Sequence, residues 1–155
     1  MIMISLSDKS LNSLSKAIKR PFYDRCRLTP GIVHIGVGNF HRAHQSWYLH
    51  SLMQQGRAQD WAIIGAGVKP YDAAMRLTLK AQDYLTTLIE LDPTGATVEI
   101  VGSMIDYIPV KDGNGPLIRQ ISAPEIRIVS LTVTEGGYYI HPVSKSFDAT
   151  DKDII

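Results

Sequence analysis

The chain has 155 residues, which suits one domain with a core of its own. Apolar residues make up 45% and charged residues 20%, a balance that excludes intrinsic disorder. A formal net charge of +1 gives no electrostatic footprint for nucleic acid or an anionic membrane surface.

Cys26 is the sole cysteine, so no intrachain disulfide and no thiolate metal cluster can form. The opening "MIMISLSDKS" lacks the apolar core of a signal peptide. No stretch approaches the length needed to span a bilayer. The expected location is cytoplasmic.

Residues 1–29 read as a polar, irregular N-terminal extension, with a short helix expected over 11–18. Pro21 and Pro30 bracket a segment expected to wrap against the domain. "KAIKR" at 16–20 is the densest basic cluster and reads as a solvated face or a leader segment. The β-branched run 32–37 predicts a buried strand. Helical spacing of Ala43, Trp47, Tyr48 and Leu52 predicts a helix over 40–55, stopped by Gly56.

"WAIIGAGV" at 61–68 predicts a second strand, and Pro70 begins a second helix through Ala73, Ala74, Leu77 and Lys80. Strand, helix, strand, helix is the pattern of a parallel sheet with crossovers. "YLTTLIEL" and "TVEIVGSMIDYI" are β-rich runs separated by "DPTGA", whose turn chemistry predicts a hairpin-like pair. "GNGPLIRQISAPE" reads as loop, short helix and loop, and residues 126–134 as another buried strand. The fold expected is α/β, a mainly parallel sheet with a β-hairpin insertion over 30–140. Residues 141–155 read as a tail or the start of a further domain.

The most informative stretch is "GIVHIGVGNFHRAHQ" at 31–45. A strand that hands over to a helix through a tight turn needs residues without a Cβ. Gly36 can make the turn and Gly38 can let the backbone approach a ligand. The helix beyond offers unpaired N–H groups to a pyrophosphate. This is the logic of the dinucleotide fingerprint G-x-G-x-x-G, with Asn39, Phe40 and His41 opening the helix. The third glycine is replaced by His41, which predicts a displaced helix or local repacking.

The fingerprint also expects an acid beyond the second strand to hold the adenosine ribose. Asp60 precedes that strand and falls at the wrong end of the sheet. Asp72 follows it and is the favoured residue, with a charge in the first turn of the second helix as its plainer role. A carboxylate there favours NAD over NADP by repelling a 2′-phosphate, although Lys69 and Arg76 flank the position.

His41, His44 and His50 lie on one helical segment, but the usual third zinc ligand is not evident nearby, so no metal is assigned. His34, inside the first strand, reads as a hydrogen-bonded core residue. "TVTEGGYY" at 132–139 ends a strand in Thr134, Glu135 and Gly136, where ligands approach an open parallel sheet. That stretch could face the nicotinamide half of a cofactor or be a simple turn.

"GVGNFHRAHQ" and "VSLTVTEGGYYI" together resemble the N-terminal domain of the polyol-specific long-chain dehydrogenases. That family includes mannitol 2-dehydrogenase and the fructuronate and tagaturonate reductases. "AGVKPYDAAMR", "AQDYLTTLIE" and "IVGSMIDYI" are similar to the same domain, so the likeness covers roughly 30–140. "FHRAH" in place of the third glycine is a habit of the family.

The resemblance implies a Rossmann-like domain binding NAD(H), with pyrophosphate at Gly36 and Gly38 and ribose at Asp72. It also implies metal-independent hydride transfer between a sugar alcohol or aldonate and its ketose or ketouronate. The family's catalytic lysine, asparagine and histidine belong to a C-terminal domain, so no catalytic residue is assigned in this chain. A partner chain could supply that domain. The rival expectations are a non-catalytic nucleotide-binding module and an inactive truncated remnant that associates through an apolar face.

Overall fold

In the computed structural model, which describes residues 5–109, 113–133, 135–152 and 154, the run after Thr29 becomes strand β1 (Pro30–Ile35). The other elements, in chain order, are α1 (Asn39–Ala43), α2 (Gln45–Gln54), β2 (Ala62–Ala66), α3 (Asp72–Ala81), β3 (Thr86–Asp92), β4 (Gly95–Val101), β5 (Met104–Ile108), α4 (Gly115–Ile121) and β6 (Ile128–Leu131). Short 3-10 helices cover Asp8–Ser13, Arg25–Arg27 and Glu135–Tyr138.

Four strands form one parallel sheet in the order β5-β2-β1-β6. Crossovers place β2 and then β5 outward on one side of β1 and β6 on the other, as in a Rossmann-like half sheet. Alternate residues of β1 and β2 feed opposite faces of this sheet. Ile32 and Ile63 join Val37, Leu79, Met104 and Tyr107 in one cluster, backed by Leu49 of α2 and Met75 of α3. Val33 and Ile64 join Ala66, Ile108 and Leu117 in the other, backed by Ile121 of α4. Helices thus cover both faces, which is why β2 is buried along its whole length.

The hairpin is real but shorter than the sequence pattern implies. β3 and β4 pair antiparallel from Thr86↔Val101 to Asp92↔Gly95 and form a sheet of their own. The second β-rich run divides at Gly102 and Ser103, and β5 then joins the parallel sheet beside β2. The long helix expected over 40–55 is likewise two helices. His44 lies between them at φ −118° and ψ −81°, outside helical geometry. The first helical turn of the N-terminal stretch is a 3-10 helix that starts earlier than expected, because Ser7 and Ser10 form a reciprocal capping box.

The strand expected to be buried over 126–134 is instead the edge strand β6. Ile128, Val129 and Leu131 are 43%, 49% and 60% exposed. Its apolar composition suits a strand covered on both faces, but the described residues supply neighbours on one side only. Among the described residues, no helix is long and apolar enough to cross a membrane.

Candidate functional site

β1 and β2 run parallel, so the turns that follow them share one rim of the sheet. Gly36 adopts φ +87°, a left-handed conformation open to glycine at little cost. Its N–H donates to the Ala66 carbonyl at 2.9 Å, which fastens the turn to the end of β2. The Gly38 N–H donates to the Gly36 carbonyl at 2.8 Å. Gly38 itself is exposed, with no atom within 4 Å of where a Cβ would stand. Asn39 and Phe40 are exposed beside it. The amides of Asn39, Phe40 and His41 open α1, where helix geometry leaves donors without an intrahelical acceptor.

Asp72 stands on the same rim, at the first residue of α3. Its Oδ2 accepts hydrogen bonds from the backbone N–H groups of Val68 and Lys69, each at 2.9 Å. Those two bonds fix the carboxylate beside the end of β2. Gly67 makes this possible, because a Cβ there would lie 2.2 Å from the Asp72 Cβ. Gly67→Ala is therefore expected to displace Asp72 and open the 67–71 loop, at a cost of about 2 kcal/mol in chemical denaturation. A variant as stable as the parent would contradict this packing. Asp60 lies at the opposite rim, where its carboxylate pairs with Arg127 at 2.9 Å. The Arg127 guanidinium lies over the Trp61 ring, 3.5 Å from its centroid. Of the two cations flanking Asp72, Arg76 is engaged through Nε with the Tyr107 carbonyl at 2.9 Å, and Lys69 is exposed.

His41 is repacked rather than expelled. It is only 1% exposed, and its ring stacks on that of His34 with centroids 3.6 Å apart and planes 13° apart. His41 Nδ1 meets Gln45 Oε1 at 3.0 Å, so Nδ1 carries the proton. Gln45 Nε2 donates to Ser130 Oγ at 3.4 Å, and Ser130 Oγ lies 2.9 Å from His34 Nδ1. His34 Nε2 meets Thr132 Oγ1 at 3.1 Å. His41 Nε2 is buried without a hydrogen-bond partner among the described residues. Burial, and then the neighbouring His34, push the His41 pKa down to about 3. Burial also lowers that of His34. Both rings are neutral at physiological pH.

The other two helical histidines go elsewhere. His44 is exposed against Phe40. His50 is fully buried, and its Nδ1 accepts from Tyr23 Oη at 2.7 Å and the Gly102 N–H at 3.3 Å. Its Nε2 faces Glu99 Oε1 at 3.4 Å without hydrogen-bond geometry. Burial holds the His50 pKa down despite that carboxylate. Among the described residues, no group of three or more histidine, cysteine or carboxylate side chains comes together as a metal site.

Glu135 and Gly136 open the 3-10 helix Glu135–Tyr138, on the rim reached by the end of β6. Thr134 lies outside the described residues. Sequence reasoning placed the glycine turn and Asp72 on one rim. It missed Gln45, Ser130 and Thr132, which tie the turn to β6. The polar Ser130 and Thr132 within an apolar strand run were the available signal.

The match to known proteins agrees with this geometry. Residues 30–152 match the family model described as the mannitol dehydrogenase Rossmann domain. The chain is 58% identical to mannitol 2-dehydrogenase of Cereibacter sphaeroides over 92% of its own length and 30% of that protein's. It is 40% identical to mannitol 2-dehydrogenase of Neosartorya fischeri over 99% of its length and 32% of that protein's. Among solved structures, Pseudomonas fluorescens mannitol 2-dehydrogenase in a ternary complex with NAD and D-mannitol superposes with TM-score 0.84 at 44% identity. That match covers 94% of this chain and 30% of the other. A D-sorbitol dehydrogenase in substrate-free form gives TM-score 0.78 at 37% identity, covering 95% and 31%. The chain thus spans about 30% of the length of these relatives. With 123 of its residues (30–152) matched to the family model and its glycine turn and acid on one rim of a parallel sheet, the chain belongs to the mannitol dehydrogenase family, as its Rossmann domain.

Proposed function

We propose that this chain binds NAD as the dinucleotide-binding portion of an oxidoreductase acting on a sugar alcohol. The observation that carries the reading is the pairing of an open glycine turn with a fixed carboxylate on one rim, in a fold shared with Pseudomonas fluorescens mannitol 2-dehydrogenase in its ternary complex with NAD and D-mannitol. Gly36 and Gly38 let the backbone approach a diphosphate, and the amides of Asn39, Phe40 and His41 donate to it. Asp72 accepts from the adenosine ribose through Oδ1, which receives no hydrogen bond among the described residues. The backbone that turns at Glu135 and Gly136 is assigned to the nicotinamide end.

Bound NAD supplies the hydride acceptor. The chain's own residues bind and orient it, and exclude a 2′-phosphate by the charge of Asp72. The groups that hold the polyol and take its proton belong to the remaining length of such a protein. Mannitol is the substrate favoured by the relatives, with hexuronates as the alternative within the same chemistry. A cytoplasmic setting suits the lone exposed Cys26.

Calorimetric titration tests this reading. NAD is expected to bind, with NADP weaker by about tenfold or more. Asp72→Asn is expected to narrow that difference. Absence of NAD binding by the folded chain would overturn the proposal. With NAD and D-mannitol together, no sustained NADH absorbance is expected from this chain alone. Steady turnover would show that the proton-accepting groups lie within it.

A further inference from the structure

The dinucleotide fingerprint ordinarily uses its third glycine to bring the helix close to the strand. Here a histidine fills that position without pushing the helix away, because a second histidine in β1 receives its ring face to face. Two polar rings in a core are costly unless their nitrogens are engaged. Three of the four are, and their partners form one connected path. It runs from His41 through Gln45 and Ser130 to His34 and on to Thr132.

That path joins α1, α2, β1 and the end of β6. It ends at the residue whose backbone bounds the glycine turn. The Thr132 N–H donates to the Ile35 carbonyl at 3.2 Å, and the Thr132 carbonyl oxygen would stand 3.4 Å from a Cβ on Gly36. The turn is thereby held from two sides, by Ala66 of β2 and by the Thr132 backbone. Burial keeps both rings uncharged, so the stack carries no repulsion.

We propose that the stacked His34–His41 pair, linked through Gln45, Ser130 and Thr132, is the positioning device of the glycine turn and replaces the fingerprint's third glycine in setting its conformation. The pair touches no ligand in this scheme. It acts by holding the amides of residues 36–41 in the geometry a diphosphate needs, so its effect on binding rests on the function proposed above.

Ser130→Ala removes the hydroxyl shared by His34 and Gln45 with little change in volume. His41→Phe keeps a flat ring on His34 but loses the bond to Gln45. In both variants, amide hydrogen exchange at Gly36 and Gly38 is expected to quicken about fivefold or more, the size of one hydrogen bond. Exchange at Ile63 and Ile64 in β2 is expected to hold steady. Ser130→Thr, which restores the hydroxyl, is expected to recover the parent rates.

This measurement needs no ligand, so it tests the positioning role even if NAD fails to bind. Ligand titrations followed by NMR then separate the two readings. ADP, which carries the diphosphate, is expected to bind Ser130→Ala about fivefold more weakly than the parent, and adenosine equally well. Unchanged exchange at Gly36 and Gly38 in both variants would overturn the inference. So would quickening spread evenly over the whole sheet, or an equal loss of ADP and adenosine. No ADP binding by the parent would overturn the diphosphate reading alone.

Discussion

Arg25→Ala is expected to cost about 4 kcal/mol of folding stability, a large fraction of what a domain of this size holds. The reason is where the guanidinium goes. Its side chain is 8% exposed. Nε donates to the Gly102 carbonyl at 2.9 Å, and Nη2 to the carbonyls of Asp83 and Met104, each at 2.8 Å. Nη1 pairs with Asp8. These acceptors lie where the chain leaves α3 and where it passes from β4 into β5. Alanine leaves buried carbonyls without donors and frees the crossover between the two sheets. Urea unfolding measures the loss. Arg25→Lys keeps the charge but not the planar fork, and is expected to recover no more than about half. A loss below about 1 kcal/mol for the alanine variant would show that water replaces the guanidinium without strain.

Acid is expected to destabilise the fold well above the carboxylate range. His34, His41 and His50 are all held below their ordinary pKa, in each case chiefly by burial. The unfolded chain takes up protons near pH 6.5, whereas the folded chain resists them; for His41 it does so down to about 3. Stability is therefore fully present above pH 6.5 and is lost as pH falls below it, by about 1.4 kcal/mol per unit for His41, whose folded pKa is about 3, with His34 and His50 acting in the same direction. His41 alone contributes a loss of about 2 kcal/mol between pH 7 and pH 5. Urea midpoints at these two pH values measure the total. In His41→Phe the difference is expected to shrink by that share. An identical pH dependence in parent and variant would show that His41 titrates normally in the fold.

The site was more legible than its support. Both glycines and Asp72 could be placed because a parallel sheet puts the turns after β1 and β2 on one rim whatever the details of packing. Asp60 could be excluded on the same ground, since it precedes β2. The break at His44 and the division of 97–108 into two strands escaped the pattern. At His44 the helical spacing of Ala43, Trp47 and Leu52 carries across the break, and the effect of the short Gly102–Ser103 interruption is decided by contacts elsewhere in the fold. Nor could the sequence show which apolar strand lies at an edge. Residues 126–131 have a buried strand's composition, yet β6 has a neighbour only in β1 among the described residues.

Chain order and side-chain chemistry thus determined, without coordinates, that a strand, a glycine turn, a helix, a second strand and an acid follow one another in the order of the dinucleotide fingerprint, with His41 at its third glycine and the acid farther along than usual. Such features act through neighbours a few residues away, and short-range geometry is written in local order. Tertiary structure alone decided how a histidine replaces a glycine, and how an arginine from the first 29 residues holds the sheet crossover. Those interactions join residues 96 positions apart for His34 and Ser130 and 77 apart for Arg25 and Gly102. No periodicity encodes a hydrogen bond across that separation; it exists only once the sheet has closed and removed water from both partners.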